Sequence, residues 1–446
     1  MKTPICDFVK NYLSDNMIRL HMPGHKGKSF LGIEPFDITE VTGADALFEA
    51  EGIIKKSEDN AAEIFGTGST LYSAEGSSLS IRAMLCLAVK YALAENKKPR
   101  ILAGRNAHKT FICAAALLQF SMDFIPEKAG SSYLSCDIDY DALEGELEKN
   151  NTTALYITSP DYLGNMADIK RLAELCRRNG VLLLVDNAHG AYLKFLSPSR
   201  HPIDLGADVC CDSAHKTLPV LTGGGYLHIS GSAPEFLREN AKNAMALFAS
   251  TSPSYLILQS LDMANKYLSE GYKERLAEFV KELDILKNKL SALGHSLISC
   301  EELKITIEAK PYGYTGYEFA GQLRQRGIEC EFADPDFTVM MLTPENGTEA
   351  LEVIYEKIAD IPRKSIINTL PPRAVPARRV MSVRDALFAP SERIPVTEAE
   401  GRVLSELNVG CPPAVPIVIC GERIDRSHVE LFLYYGIEFC RVVREE

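Results

Sequence analysis

At 446 residues the chain exceeds what a single hydrophobic core usually organises, so two or three domains are expected. Its 46% apolar and 24% charged residues are those of a globular protein, and 48 basic against 60 acidic side chains leave −12, which disfavours a nucleic-acid binder. The start, MKTPICDFVK, does not read as a secretory signal, no apolar run reads as a membrane span, and twelve cysteines without a CxxC fit neither a zinc centre nor a disulfide framework, so the cytoplasm is the expected compartment.

Residues 1–40 read as an N-terminal arm, in which LHMPGHKG (Leu20 to Gly27) breaks regular structure. Residues 41–293 read as a large α/β domain. A helix around Lys55 to Phe65 leads through GTGST to a short strand, Leu71 to Ser73, and AEGSS opens a helix from Ser77 to about Ala94. Strands follow at Arg100 to Ala103, Ala154 to Thr158, Val181 to Asp186, Asp208 to Asp212 and Tyr226 to Ile229, with helices such as Asp168 to Asn179 between them. Apolar strands separated by helices imply a largely parallel sheet covered on both faces. Long helices run from about Tyr255 to Leu293. Residues 294–370 read as a small α+β domain, with strands at Lys304 to Ala309 and Thr338 to Leu342 and a helix at Gly316 to Arg326. A proline-rich linker, LPPRAVPARR, opens a C-terminal domain at 371–446 that contains the turn CPPAVP (Cys411 to Pro416).

Two segments carry the chemistry: VDNAHG at Val185 to Gly190 and DSAHKT at Asp212 to Thr217. Asp186 ends one apolar strand and Lys216 lies just beyond another, so both point into the crevice at the carboxyl ends of the sheet. Pyridoxal 5'-phosphate chemistry requires this pair. A lysine amine must carry the cofactor and exchange it with the substrate amine, and a carboxylate must keep the pyridine nitrogen protonated. The simpler alternative is a helix-capping Asp186 and a surface Lys216; the polar flanks Ser213, His215 and Thr217 weigh against it. Gly76-Ser77-Ser78, between a strand and a helix, suits a phosphate cradle, although such a triplet also opens helices as a simple cap. Glu75 beside it must point away or be paired. His108, in RNAHKT, is placed to stack on a pyridine ring opposite Ala188, or else to cap the helix that follows. No GxGxxG before a helix, GxxxxGK[ST], HExxH or GxSxG is present, and Pro23 and Gly24 keep His21 and His25 from sharing a helix face, so no metal is expected.

These residues, with HMPGHKG, DITEVTGADAL, EGIIKKSEDNAAEIFG, SPDYLGN, ADVCCDSAHKTLPVLTGGGYLHIS and CPPAVPIVICGERI, resemble the bacterial ornithine/lysine/arginine decarboxylase family. The resemblance implies fold type I of the pyridoxal-phosphate enzymes, with a mostly parallel seven-stranded-type sheet. It implies that Lys216 carries the cofactor, Asp186 faces the pyridine nitrogen, His108 stacks on the ring, Ala188 packs on its other face and His189 lines the pocket. Gly76, Ser77 and Ser78 hold the phosphate, Ser213 and His215 reach the same region, and Lys216 or a nearby histidine returns a proton to Cα. Thr251 and Ser252 in STSPSY touch the phosphate of a neighbouring subunit, which implies a homodimer. The implied reaction is decarboxylation of arginine, lysine or ornithine, in the short biosynthetic form without a receiver-like wing. Departures from the family pattern fall at Met22, at Phe48-Glu49-Ala50-Glu51-Gly52 and at Glu75. They leave open another activity on the same fold, such as transamination or Cα–Cβ lysis, or a non-catalytic regulator.

Overall fold

The computed structural model describes residues 1–128, 137–298, 301–373, 375–411 and 415–445. The chain divides into two compact units: Met1–Pro99, Asn150–Ser159 and Asp168–Ala277 form the first, and Arg100–Lys149, Pro160–Ala167 and Glu278–Glu446 the second.

The first seven strands are β1 (Ser69–Ser73), β2 (Arg100–Ala103), β3 (Ser121–Phe124), β4 (Ala154–Thr158), β5 (Leu182–Asp186), β6 (Val209–Asp212) and β7 (Gly225–Ile229). In the first unit the order is β1-β7-β6-β5-β4. β4, β5 and β6 run parallel, whereas β7 is antiparallel to both β6 and β1. β2 and β3, in the second unit, pair in parallel. Every residue of β5 and β6 is buried, as expected of strands covered on both faces.

Helices α1 (Pro4–Ser14), α2 (Ile53–Phe65), α3 (Gly76–Ala94), α4 (Lys109–Leu118), α5 (Tyr140–Leu147), α6 (Ile169–Arg178), α7 (Ala214–Thr217), α8 (Glu235–Ala246), α9 (Tyr255–Ser269) and α10 (Tyr272–Ala292) accompany these strands. α6 shows how sequence makes such a helix. Asp168 caps it by accepting the Arg171 N–H, Ile169, Leu172, Ala173 and Cys176 bury one stripe, and Arg177 and Arg178 sit at the negative end of the dipole. α3 has the length and apolarity to cross a membrane, alone in this among the described residues, yet it packs against β6, β7 and α8 and is largely buried. A core helix needs apolar residues all round.

The structure adds detail that the sequence reading did not give. The N-terminal arm begins as a packed helix: α1 buries Ile5, Cys6 and Val9, and the Asp262 carboxylate accepts the N–H groups of Ile5 and Cys6 at 3.0 Å each. α8 is an unforeseen helix. The long helical stretch is broken between α9 and α10 at Gly271, whose φ of +77° suits glycine.

In the second unit, β8 (Ser296–Leu297), β9 (Lys304–Glu308), β10 (Phe332–Ala333) and β11 (Phe337–Met341) form an antiparallel sheet in the order β10-β11-β9-β8, with α11 (Gly316–Gln325) and α12 (Glu349–Ala359). A capping box between Thr315 and Glu318 starts α11. Toward the C-terminus lie β12 (Arg378–Arg379), α13 (Val383–Phe388), β13 (Ser391–Pro395), β14 (Asn408–Cys411), β15 (Val415–Ile419), β16 (Glu422–Arg423), α14 (Arg426–Tyr434) and β17 (Phe439–Val443). Ile417, Val418, Leu431, Phe432 and Val442 share an apolar core there. Of the expected CPPAVP turn, Pro412, Pro413 and Ala414 lie outside the described residues.

Candidate active site

Strand direction gathers the candidate residues of the first unit. β5 ends at Asp186 and its parallel neighbour β6 ends at Asp212, one residue before the lysine turn. Because β7 is antiparallel, its start lies beside the end of β6, with Asp212 opposite Tyr226. β1 is antiparallel to β7 in turn, so Ser73 lies opposite Gly225 and the chain leaves β1 directly into Gly76-Ser77-Ser78. Asp186–His189, Ser213–Lys216, Gly223–Gly225 and Gly76–Ser78 therefore meet at one end of the sheet. The approach is close: the Gly76 N–H donates to the Gly223 carbonyl at 2.6 Å, and a Cβ on Gly225 would lie 2.8 Å from the Asp212 carbonyl and 3.1 Å from the Gly76 carbonyl carbon.

Lys216 sits in the single turn of α7, partly buried, its Nζ 2.9 Å from His189 Nε2. Asp186 is buried and accepts hydrogen bonds from the Tyr156 hydroxyl at 2.9 Å and the Ala188 N–H at 3.2 Å, with the Cys211 thiol at 3.6 Å. Burial and the adjacent Asp186 push the Tyr156 hydroxyl well above its ordinary range, so it stays a donor. Asp186 and Thr158 are in register and Tyr156 lies two residues back on the same face of the sheet. A tyrosine at that phase in a β-strand was the available signal, and the sequence reading passed over it.

At the cradle, Gly76 has φ +64° and starts α3, with Ser77 and Ser78 half-buried in its first turn. Glu75 occupies the N-cap position without capping. It is paired elsewhere: its Oε1 accepts the Ser250 N–H at 2.7 Å, which turns the carboxylate toward the STSPSY segment. A Cβ on Gly76 would stand 3.5 Å from the His215 ring, whose Nδ1 lies 2.8 Å from the Gly224 carbonyl. Ser213 is buried at the N-cap of α7, and Ala188 is buried. Thr251 and Ser252 are exposed; Ser254 takes the N-cap position of α9, so neither residue caps that helix.

His108 belongs to the second unit. It caps α4, its Nδ1 accepting the Thr110 N–H at 3.3 Å and lying 2.9 Å from Thr110 Oγ1. His21 and His25 turn to separate partners, the Tyr12 hydroxyl at 2.6 Å and Asp37 at 3.3 Å. The sequence reading also passed over Asp212, Asn187, His201 and His228, which form a buried polar cluster at the ends of β5 and β6; its signal, a second aspartate ending an apolar strand, was on view in DSAHKT.

The residues fit pyridoxal phosphate. A lysine amine, a buried carboxylate with three donors on it, and a glycine-opened helix start that no side chain of its own caps lie at one sheet end. A family model described as "Orn/Lys/Arg decarboxylase, major domain" matches residues 3–309, and its "C-terminal domain" counterpart matches 373–440. The arginine decarboxylase of Halalkalibacterium halodurans is 28% identical over 461 residues, covering 96% of this chain and 92% of that protein. That of Bacillus subtilis is 28% identical over 463 residues with the same coverage. In fold, the constitutive lysine decarboxylase of E. coli matches with a TM-score of 0.78 at 17% identity, over 99% of this chain and 82% of that one.

Proposed function

Because the chain belongs to the Orn/Lys/Arg decarboxylase family of pyridoxal-phosphate-dependent enzymes, we propose that it removes the α-carboxylate of arginine, lysine or ornithine as carbon dioxide and releases the amine. The observation that carries this reading is the convergence of Lys216, Asp186 and the Gly76–Ser78 cradle on one end of the sheet. The likeness to two arginine decarboxylases over 96% of the chain supports testing arginine first among the three substrates.

In this reading Lys216 holds the cofactor covalently, Asp186 faces its ring nitrogen, and Gly76, Ser77, Ser78, Ser213 and His215 hold its phosphate. Ala188 takes one face of the ring. Bound there, pyridoxal phosphate supplies the sink for the electron pair left on Cα when carbon dioxide departs. The protein's part is to hold charges and protons. Tyr156, Ala188 and Cys211 direct three donors at Asp186, which fix the direction in which its carboxylate points. His189 orients the Lys216 amine, so that Lys216 or a histidine beside it returns a proton to Cα.

The same reading takes the protein to be a cytoplasmic homodimer of polyamine biosynthesis, with Thr251 and Ser252 reaching the partner's phosphate site. Its support is an exposed apolar run in the arm, Met17, Ile18, Leu20, Phe30 and Leu31, of the kind that association covers.

The test is carbon dioxide release from a panel of amino acids, with the visible absorbance of the lysine-bound cofactor recorded in parallel. Release from a basic amino acid, lost together with the band in Lys216→Ala, is the expected result. A keto acid without carbon dioxide would move the chain to transamination. A band with every basic amino acid left unchanged would make it a non-catalytic binder, the outcome that the departures at Phe48–Gly52 would then explain.

A further inference from the structure

Asp212 is a fully buried carboxylate four residues before Lys216. Alternation along β6 puts it, with Cys210, on the sheet face opposite Cys211 and the in-register Asp186; His228 of β7 pairs directly with Cys210 and shares that face. Four donors surround it. His201 Nε2 and His228 Nε2 lie 3.1 and 3.2 Å from Oδ2, while Asn187 Nδ2 and the Cys210 thiol lie 2.7 and 3.5 Å from Oδ1. No lysine or arginine reaches it among the described contacts. Burial alone would raise its pKa, but the two imidazoles and their hydrogen bonds outweigh that and hold it well below the usual carboxylate range.

The Asn187 contact gives this anion a bearing on the active site. Asn187 directly follows Asp186. Its backbone N–H donates to the Cys211 carbonyl at 3.0 Å and its side-chain amide to Asp212, so two bonds tie the residue after β5 to the last two residues of β6. Gly190 keeps room for this amide: a Cβ there would stand 2.0 Å from Asn187 Oδ1. One strand end carries Asp186 and the other runs straight into the lysine turn.

We propose that Asp212 is a positioning residue, which through Asn187 locks the strand end bearing Asp186 to the strand end that leads into Lys216. The Asp212 side chain lies on the sheet face opposite Asp186. The clamp serves the proposed cofactor site and rests on that reading.

In Asp212→Asn an amide N–H2 replaces one acceptor and faces the surrounding donors. His228 can adapt, because its Nδ1 is 2.8 Å from Thr70 Oγ1 and that hydroxyl serves either tautomer. Asn187 then meets a neutral acceptor in place of a charged one, so the bond that ties the two strand ends weakens. The experiment titrates the absorbance of the lysine-bound cofactor against pH in the holoenzyme and measures kcat and KM for the amino acid that the panel identifies. The expected Asp212→Asn result is a shifted titration midpoint and a kcat lowered about tenfold with KM little changed. The cofactor should still be fixed to the chain by borohydride, and the circular dichroism should match wild type. His228→Gln keeps an amide donor toward Asp212 and is expected to stay near wild type in both readouts. Asn187→Ser removes the bridge but leaves the anion, and should shift the midpoint as Asp212→Asn does, so it carries the test if the latter fails to fold. An unmoved midpoint and kcat in either variant that folds overturns the proposal. Absence of any lysine-bound cofactor in the wild type would instead overturn the site reading itself.

Discussion

Gly225→Ala probes the convergence of the site in a single methyl group. The new Cβ would meet the Asp212 carbonyl at 2.8 Å and the Gly76 carbonyl carbon and oxygen at 3.1 and 3.3 Å, all backbone atoms that no rotamer change moves aside. Ordinary contact begins at 3.4 Å, so the start of the lysine turn and the start of the cradle must separate by a few tenths of an ångström, up to about 0.6 Å. Overpacking of this kind costs about 1–3 kcal/mol of stability. The functional cost should be of similar size, because a misplacement of about 1 Å lowers the rate about a hundredfold where groups must be aligned, and half that shift suggests roughly tenfold, about 1.4 kcal/mol. The assay measures the affinity of the apoprotein for pyridoxal phosphate by fluorescence quenching, with kcat and the urea unfolding midpoint alongside. Weaker cofactor binding together with a lowered kcat is expected. A variant as unstable as expected but with wild-type affinity and turnover would refute the claim that Gly225 sets the spacing of the two segments.

Other perturbations separate the remaining roles. Asp186→Asn should keep the cofactor on Lys216 yet lose most turnover, since an amide cannot hold a ring nitrogen protonated; turnover within about threefold of wild type, under roughly 0.7 kcal/mol, would remove that role. His295 is buried, stacked on Tyr312 at 3.9 Å, with neither ring nitrogen bonded among the described residues, and burial and then Arg363 lower its pKa to about 4. Its neutral form is the one that fits the fold, so its contribution is complete above about pH 6.5 and declines as pH falls toward 4, by at most about 3 kcal/mol. Urea unfolding of the full chain between pH 7 and 4.5 should show that decline, and His295→Phe should flatten it; equal slopes would discount the imidazole. For the proposed shared site, mixing inactive Lys216→Ala with inactive Ser252→Trp chains should restore about a quarter of wild-type activity per total site after random exchange. No recovery despite verified exchange would leave each site within one chain.

Much of the element pattern was legible because it is written locally. Ala154–Thr158, Leu182–Asp186 and Val209–Asp212 are short apolar runs bounded by helices and turns, and a charged residue ending such a run in an α/β chain points to the ligand end of the sheet. That sufficed to single out Asp186, Lys216 and the Gly76–Ser78 helix start, and Glu75 could be predicted to pair away from the cradle on charge alone. Local pattern does not encode strand direction at the sheet's edge. Only the antiparallel pairing of β7 with β6 and β1 brings the start of α3 beside the lysine turn, and it makes Gly225 a contact between backbones rather than a loop glycine. Buried polar groups were hidden for a related reason. Asp262 is a mid-helix aspartate until α1 folds against it from more than 250 residues away, and Asp212 is a strand-end aspartate until His201, His228 and Asn187 converge on it. The sequence by itself determined which residues have the chemistry and which segments become strands and helices. The tertiary structure decided their partners, because a buried charge must be satisfied wherever the folded backbone happens to bring donors, and no spacing along the chain records that.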